Sequence, residues 1–250
     1  MFLNNILLYT IGSSDSCRYA SILLEKAGFA LIDHPSPEVT HVMLDIPSFD
    51  TTGLLRDGTD LKELLRMLPK SITIIGGNLD QDYTQDYHKI DLLQDPFYLA
   101  KNAAITAECA LRVAAPYLKT TFADSPTLIL GWGRIGKCLS KRLFHIGCPV
   151  TVAARKAHDR ALLETFGYKA VDFSQVPKIL NRYKLLLNTV PDLPLLINSK
   201  TVTAIDLASY PGMKGNNIIP ARGLPGKYAP ESSGKLIADI IQRMYQEGVL

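Results

Sequence analysis

The stretch that decides the fold is TLILGWGRIGKCLSKRLFHIGCPVTVAARK, residues 127–156. Its apolar start stops at the first glycine of a G-x-G-x-x-G pattern, and apolar residues then recur at helical spacing as far as Gly147. A second apolar run follows over 149–153. A strand, a glycine-rich turn, a helix and a second strand in this order predict a βαβ unit. The pattern, here called the fingerprint, has its glycines at Gly131, Gly133 and Gly136.

The fingerprint glycines favour dinucleotide binding. Gly131 permits the tight turn, Gly133 lets backbone N–H groups approach a pyrophosphate, and Gly136 lets the helix pack closely on the strand. The helix that begins here turns its N-terminus toward the anion, so Arg134 and Ile135 join the predicted cofactor-binding residues. A glycine-rich packing turn in a domain that binds no cofactor stays open as the alternative.

The end of the second strand indicates which dinucleotide binds. An NAD enzyme normally has Asp or Glu here to hold the ribose 2′-hydroxyl, but this chain has Ala154, Arg155 and Lys156. A 2′-phosphate would instead meet two cations, and an arginine can bind it through two parallel hydrogen bonds. These residues predict NADP(H) as the cofactor. The alternative is a solvated Arg-Lys pair at the start of a helix.

Composition disfavours several classes of function. The 250 residues are 47% hydrophobic and 20% charged, which suffices for two modest cores. The net charge of +3 is spread without aromatic clusters, so nucleic-acid binding is not indicated. Four cysteines without a CxxC pair fit a reduced cytoplasmic setting, and no apolar run approaches membrane-spanning length. The five histidines lack metal-ligand spacing, so no metal is expected.

A fainter copy of the βαβ pattern precedes the fingerprint. Gly12 and Gly28 are as far apart as the first fingerprint glycine and the glycine that ends its helix. Ser14 and Cys17 stand where the second and third glycines would be. This copy keeps the turn and loses the pyrophosphate contact, as a substrate-side domain would. Chance similarity between two βαβ units is the alternative.

These elements predict an α/β protein with two Rossmann-like doubly wound domains and mainly parallel sheets, linked by long crossing helices. An apolar stripe predicts one such helix over 97–115, ended by Pro116. Residues 78–89 are expected to be a connecting loop, and residues 224–227 a turn. The predicted divisions are an N-terminal substrate-side domain over 1–95, a linker helix over 96–120, a dinucleotide-binding domain over 121–230, and a C-terminal helix over 231–250 that could pack back on the first domain.

Two later apolar strands end in polar loops. In a doubly wound sheet the carboxyl ends of the strands line the crevice where ligands bind. The loops after the strands at 185–188 and 202–207 are therefore expected to face the nicotinamide, the second with Ser209. Asp206, at the end of the second strand, is interpreted as a cap for a neighbouring turn. The loop residues assigned to the cofactor are Asn188, Thr189, Val190 and Pro191.

With these loops identified, the chain resembles the A subunit of dipicolinate synthase, an enzyme of spore-forming bacteria that makes pyridine-2,6-dicarboxylate. The resemblance covers the chain from Asp91 to its end, and earlier residues match in pattern alone. The matching stretches are Asn102-Ala103, Thr106-Ala107-Glu108, GWGRIG at 131–136, VTVAAR at 150–155, NTVP at 188–191, IDLAS-x-PG at 205–212 and LPGK-x-AP at 224–230.

The resemblance implies both a fold and an activity. It implies two domains arranged like those of 2-hydroxyacid dehydrogenases, and oxidation of a dihydrodipicolinate-type heterocyclic dicarboxylate with NADP. It also implies that the flavoprotein-like B subunit of dipicolinate synthase is the partner. The chain departs from the family pattern at Ile105, Cys109 and Met213, and its segment from Pro191 to Val202 is short.

The implied reaction needs few catalytic groups. Aromatisation drives hydride departure and leaves one proton, which Glu108 or water could accept; the alternative for Glu108 is a surface carboxylate. Two substrate carboxylates need donors, and Lys227 is assigned to catalysis and to carboxylate binding, with a solvated turn lysine as the alternative. The start of the C-terminal helix, with Ser232, Ser233 and Gly234, is expected to offer accessible N–H groups. The other residues assigned to the substrate are Asn102, Thr106, Ser209 and Ser232.

Two other functions stay open. A 2-hydroxyacid dehydrogenase-like enzyme is disfavoured because no histidine follows His158 to serve as general acid and base. A nucleotide-binding regulatory or scaffold subunit that has lost catalysis is favoured by the short segment 191–202. The sequence leaves the oligomeric state open, a homo-oligomer included.

Overall fold

The computed structural model describes residues 6–193, 195–197, 199, 201–215 and 217–250. The chain divides into two compact units, a first unit of Met1–Asn102 with Pro225–Leu250 and a second unit of Ala103–Leu224. Every strand pair within the described sheets is parallel, which confirms the predicted α/β class. Within these residues no helix has the length and apolar character needed to cross a membrane.

The chain forms helices and strands in the following order. The first eight are β1 Leu7–Thr10, α1 Asp15–Lys26, β2 Ala30–Ile32, β3 His41–Met43, α2 Leu61–Leu65, β4 Thr73–Gly76, β5 His88–Asp91 and α3 Pro96–Ala114. The next eight are β6 Thr127–Leu130, α4 Arg134–His145, β7 Val150–Ala153, α5 Ala157–Thr165, β8 Lys169–Val171, α6 Val176–Ile179, β9 Leu185–Asn188 and β10 Leu195–Ile197. The last five are β11 Thr203–Asp206, β12 Met213–Gly215, β13 Ile218–Pro220, α7 Leu224–Tyr228 and α8 Pro230–Gln246.

The first unit is built on a five-stranded parallel sheet in the order β2-β1-β3-β4-β5. This is the flavodoxin-like order of a doubly wound sheet. Helix α8 packs against α1, and Gly234 is required there because a Cβ would lie 2.5 Å from the Ser16 carbonyl oxygen. One side of the sheet is covered by a core of apolar residues that includes Val42, Leu44, Leu61, Leu65, Ile72 and Ile74.

The second unit is built on a six-stranded parallel sheet in the order β13-β11-β9-β6-β7-β8. Numbered within the unit, this is the Rossmann order 3-2-1-4-5-6 read from the opposite edge. Leu130, the last residue of β6, pairs with Ala153 on one side and Asn188 on the other. The order reverses between β6 and β9, so the ends of these strands form the topological switch point at which such sheets bind ligands.

A small two-stranded sheet explains the short segment after β9. Strand β10 pairs in parallel with β12, so these strands, in place of longer helices, contribute to the connections that follow β9 and β11. Leu195, Ile197 and Met213 project into the core of the second unit beside Leu186 and Ala204. A strand covers more length per residue than a helix, so a short connection can span a longer distance.

Some expectations about elements are wrong. Residues 78–89 are not only a loop, because His88–Asp91 forms the edge strand β5, whose four mixed residues give no clear period. Residues 224–227 belong to helix α7 instead of a turn, and Pro225 suits the first turn of a helix. The helix predicted over 97–115 is confirmed within one residue as Pro96–Ala114, and a 3-10 turn containing Pro116 follows it.

Candidate cofactor site

Two fingerprint glycines are required by the packing of the second unit. Gly131 has φ 94°, and a Cβ there would lie 2.6 Å from the Thr189 hydroxyl oxygen. A Cβ on Gly136 would overlap the Gly131 carbonyl oxygen. Both positions therefore exclude larger residues whether or not a ligand binds, as the sequence predicts for a tight turn with close helix packing.

Gly133 differs from the other two fingerprint glycines. Among the residues that the structure describes, its chain neighbours aside, none has a heavy atom within 4 Å of the place where its Cβ would be, and its φ of −77° is open to any residue. It is the N-cap of α4 and supplies no side-chain hydrogen bond to the first N–H groups of that helix. Uncapped N–H groups and the helix dipole favour an anion, and the space in front of Gly133 leaves room for a pyrophosphate.

Arg134 and Ile135 begin α4, whose first turn carries no acidic residue. Trp132, the chain's one tryptophan, lies within the fingerprint and is partly buried. The ammonium of Lys137 lies 4.8 Å from the centre of its ring, and the Phe166 ring lies 6.3 Å away. No sequence motif assigns a role to Trp132, which provides a spectroscopic reporter inside the candidate site.

The loop after β7 presents two cations. Ala154 is buried, whereas Arg155 and Lys156 are exposed, and neither cationic group has a hydrogen-bond or ion-pair partner among the residues that the structure describes. The loop backbone is fixed by Arg160, which donates to the carbonyl oxygens of Ala154 and Arg155, each over 2.7 Å. The loop thus keeps the charge of Arg155 available for a ligand.

Arg160 is itself neutralised by Asp172, whose carboxylate lies 2.8 Å from it. The Ser174 backbone N–H and hydroxyl, with a smaller contribution from Arg160, lower the pKa of Asp172, so this carboxylate stays ionised. The sequence gives no sign of this role of Arg160, because its partners lie up to twelve residues away and no local pattern connects them.

The loop after β9 is ordered by Asn188. Its side-chain amide donates to the Val190 carbonyl oxygen over 2.9 Å, and its amide oxygen accepts from the Val190 N–H over 3.0 Å. The Thr189 hydroxyl donates to the Leu130 carbonyl oxygen over 2.8 Å. These bonds hold the loop against the fingerprint, and Pro191 follows it at the surface.

Asp206 connects this loop to the one after β11. Its carboxylate is 3% exposed and accepts from the Asn188 amide over 2.8 Å, from Gly212 N–H over 2.8 Å and from Ala208 N–H over 3.3 Å. A Cβ on Gly212 would overlap the Asn188 side chain, so this approach needs glycine. The expected turn cap is confirmed through Ala208 and Gly212, and the link to Asn188 extends it across two strands. Ser209, between them, is exposed.

The predicted proton acceptor lies in an arginine cluster. Glu108 is exposed on α3, and its oxygens lie 3.4 Å from Arg112 and 3.7 Å from Arg142. This environment favours the alternative of a surface carboxylate. Thr106, which precedes it on the same helix, is buried and has contacts of its own.

The remaining substrate candidates belong to the first unit. Asn102 is partly buried with contacts of its own, Lys227 is exposed on α7, and Ser232 is exposed in the first turn of α8. The expectation of accessible N–H groups at 233–234 is wrong, because Ser233 and Gly234 are buried, and Gly234 packs on α1. Glu231 also occupies this first turn and adds a negative charge there.

The fainter first copy carries its own anion. The Asp45 carboxylate, 4% exposed, accepts from the N–H groups of Ser13 and Ser14 over 3.0 and 3.1 Å. The Ser14 hydroxyl donates to Asp45 and accepts from the Cys17 N–H, which caps α1. In the first copy, an internal carboxylate therefore occupies the place that corresponds to the open space in front of Gly133 in the second copy. This occupation supports the expected loss of pyrophosphate binding in the first copy.

Six parallel strands in this order, with a glycine fingerprint at the switch point, define a Rossmann-type, dehydrogenase-like fold. The predicted resemblance to dipicolinate synthase is confirmed: the chain is 26% identical to the A subunit of that enzyme from Bacillus subtilis (strain 168) in an alignment of 159 positions that covers 58% of this chain. The match spans about half of the relative's own length, 54%. No family model matches the chain.

Two solved structures share the whole fold. The dipicolinate synthase A subunit of Bacillus halodurans has a TM-score of 0.84 at 20% identity, covering 98% of this chain and 99% of that chain. The A chain of dipicolinate synthase from Bacillus subtilis has a TM-score of 0.81 at 18% identity, covering 98% of this chain and 97% of that chain. At these identities the likeness establishes the fold.

Proposed function

We propose that the chain is an NADP-dependent oxidoreductase, similar to the A subunit of dipicolinate synthase, that oxidises a dihydrodipicolinate-type heterocyclic dicarboxylate to dipicolinate. The observation that carries the proposal is the open, uncapped N-terminus of α4 at Gly133. The corresponding position of the first unit is satisfied by Asp45, so the contrast between the two copies supports an external anion at the second.

The preference for NADP rests on the loop after β7. Strands β6 and β7 are neighbours, so Arg155 and Lys156 emerge beside the fingerprint at the same edge of the sheet. No carboxylate occupies positions 154–156, where an NAD enzyme would hold the ribose hydroxyls. An unpaired guanidinium suits a 2′-phosphate, because charge-assisted bidentate bonds are among the strongest that a side chain makes.

The proposed oxidation depends more on positioning the substrate against the nicotinamide than on acid and base groups. When bound, the nicotinamide supplies the hydride acceptor. Oxidation removes one hydride and one proton from the dihydropyridine ring, and Glu108 or water accepts the proton. The loops fixed by Asn188 and Asp206 orient the reacting face of the nicotinamide. The residues proposed to bind the substrate are Lys227, Asn102, Thr106, Ser209 and Ser232.

Several further expectations belong to this proposal. The flavoprotein-like B subunit is the partner that the family resemblance implies, and a cytoplasmic setting fits four cysteines that are free in the structure. The domain limits 1–95, 96–120, 121–230 and 231–250 are proposed on the sequence pattern. A homo-oligomer is compatible with all of these expectations.

A non-catalytic, nucleotide-binding regulatory or scaffold protein is the second candidate. The ion pairs of Glu108 favour it, because Arg112 and Arg142 already engage the carboxylate that the reaction would use as its base. A 2-hydroxyacid dehydrogenase-like enzyme is less favoured, since residues 159–250 contain no histidine.

A measurement of substrate turnover distinguishes the proposed oxidoreductase from the non-catalytic candidate. Freshly generated dihydrodipicolinate and NADP⁺ are mixed with the purified chain, with and without the B subunit of dipicolinate synthase, and NADPH formation is followed. The proposal expects NADPH to form in step with dipicolinate, and Gly133→Ala to need a higher NADP⁺ concentration for the same rate. Tight NADPH binding without turnover under either condition would leave the non-catalytic role as the function.

A further inference from the structure

Arg222 is a cation at the edge of the second unit where doubly wound sheets bind ligands, and no sequence motif assigns it a role. Strand β13 pairs in parallel with β11, with Asp206 opposite Pro220. Arg222 follows two residues later, and the Ala221 N–H donates to the Asp206 carbonyl oxygen over 2.8 Å. The side chain therefore leaves the sheet at the same edge as the fingerprint and the two loops that are expected to face the nicotinamide.

The guanidinium is held from one side. Its Nε donates to the Ala208 carbonyl oxygen over 2.9 Å, and its Nη2 lies 3.7 Å from the Asp206 carboxylate. The side chain is 39% exposed. An arginine has five N–H donors, and Nη1 has no protein partner among the residues that the structure describes. Arg222 thus presents uncommitted donors in a fixed orientation.

Asp206 does not need the charge of Arg222 for its hydrogen bonding. Its two oxygens already accept from Asn188, Ala208 and Gly212. The 3.7 Å separation is longer than a hydrogen bond, so Asp206 orients the guanidinium without consuming its donors. A fixed guanidinium loses little freedom on binding a carboxylate, which makes it a better anchor than a mobile lysine.

We propose that Arg222 binds one carboxylate of a planar heterocyclic substrate at the nicotinamide end of the site. This inference rests on the proposed function and deepens it, because it assigns a carboxylate-binding residue to the second unit. Arg222 is a substrate-binding residue here, and Asp206 and Ala208 are the groups that position it.

The test compares two ligands that differ in one charge. Pyridine-2,6-dicarboxylate and its monoamide, 6-carbamoylpyridine-2-carboxylate, are titrated against the NADPH-loaded protein and its Arg222→Ala and Arg222→Lys variants. The unmutated chain should prefer the diacid. Arg222→Ala should weaken diacid binding about 10- to 100-fold, abolish the preference for the second carboxylate and leave NADPH affinity unchanged. Arg222→Lys should keep part of the preference, and the control Arg182→Ala, an exposed arginine before β9, should keep all of it.

Failure of this inference and failure of the proposed function would give different results. Equal weakening of both ligands in Arg222→Ala would mean that the residue acts only through Asp206, and the inference would fall while the proposed function stands. Loss of NADPH binding with the diacid preference retained would place Arg222 on the cofactor side and overturn the inference. If the unmutated chain bound NADPH and neither pyridine ligand, the proposed substrate class would be wrong and the inference with it.

Discussion

The Asn188 side-chain amide donates a hydrogen bond of 2.8 Å to the Asp206 carboxylate, and both residues are buried at the ends of neighbouring strands β9 and β11. This bond joins two loops that are separate in the sequence. Asn188 fixes Val190, and Asp206 fixes Ala208 and Gly212. The positions of both loops therefore depend on a single buried carboxylate.

Replacing Asp206 by Ala should destabilise the protein and loosen the nicotinamide end of the site. Three donors would lose their acceptor, and the free energy of unfolding should fall by about 3 kcal/mol. NADPH binding should weaken, whereas 2′,5′-ADP, which lacks the nicotinamide, should bind as before. Urea unfolding and the two titrations measure these effects.

Asp192→Asn is the matched control, because Asp192 is an exposed carboxylate near the same loop with φ 50°, which asparagine tolerates. It should leave all three quantities unchanged. Equal loss of NADPH and 2′,5′-ADP affinity in Asp206→Ala would show that the network does not act on the nicotinamide end alone.

Gly133→Ala and Gly136→Ala should separate ligand binding from folding. The Gly133 site has space for a Cβ, so the melting temperature should hold while NADPH affinity falls about tenfold or more, since the methyl group would occupy the space for the pyrophosphate. Gly136→Ala should reduce the free energy of unfolding by about 1–3 kcal/mol through its overlap with Gly131. Unchanged NADPH binding in Gly133→Ala would argue for an empty packing turn.

Lys227→Ala should raise the substrate KM, or abolish substrate-dependent turnover, while NADPH affinity stays the same. The physical reason is the loss of one cation from a site that must bind two carboxylates. Steady-state kinetics with varied substrate, together with NADPH titration, measure both quantities. A variant that lost NADPH binding and kept its substrate response would place Lys227 outside the substrate site.

The parts of the fold that the sequence could predict are those coded by local spacing. The fingerprint and its flanking apolar runs predicted β6, α4 and β7, and the long apolar stripe predicted α3. Strands β5, β10 and β12 have three or four residues each, too few for a period of two to be recognised. Their positions are set by partners elsewhere in the chain.

The same distinction between local and distant determinants applies to the residues of the candidate site. Gly131 and Gly136 could be recognised because their packing roles follow from position in a motif. Arg160 and Arg222 could not, because their partners lie five to sixteen residues away and the contacts form only when the sheet does. The contact between the Asp45 carboxylate and the N-terminus of α1 could not be predicted either, since Asp45 lies 31 residues from Ser14.

The most direct test of the NADP assignment is a titration of the unmutated protein with NADPH and NADH, followed through the emission of Trp132, with Arg155→Ala and Arg182→Ala in parallel. Arg155 should contribute about 1.5–3 kcal/mol to NADPH binding, so NADPH should bind roughly ten- to a hundredfold more tightly than NADH. Arg155→Ala should remove that preference with NADH affinity little changed, and Arg182→Ala should keep it. Superimposable NADPH and NADH curves for the unmutated protein would contradict the assignment.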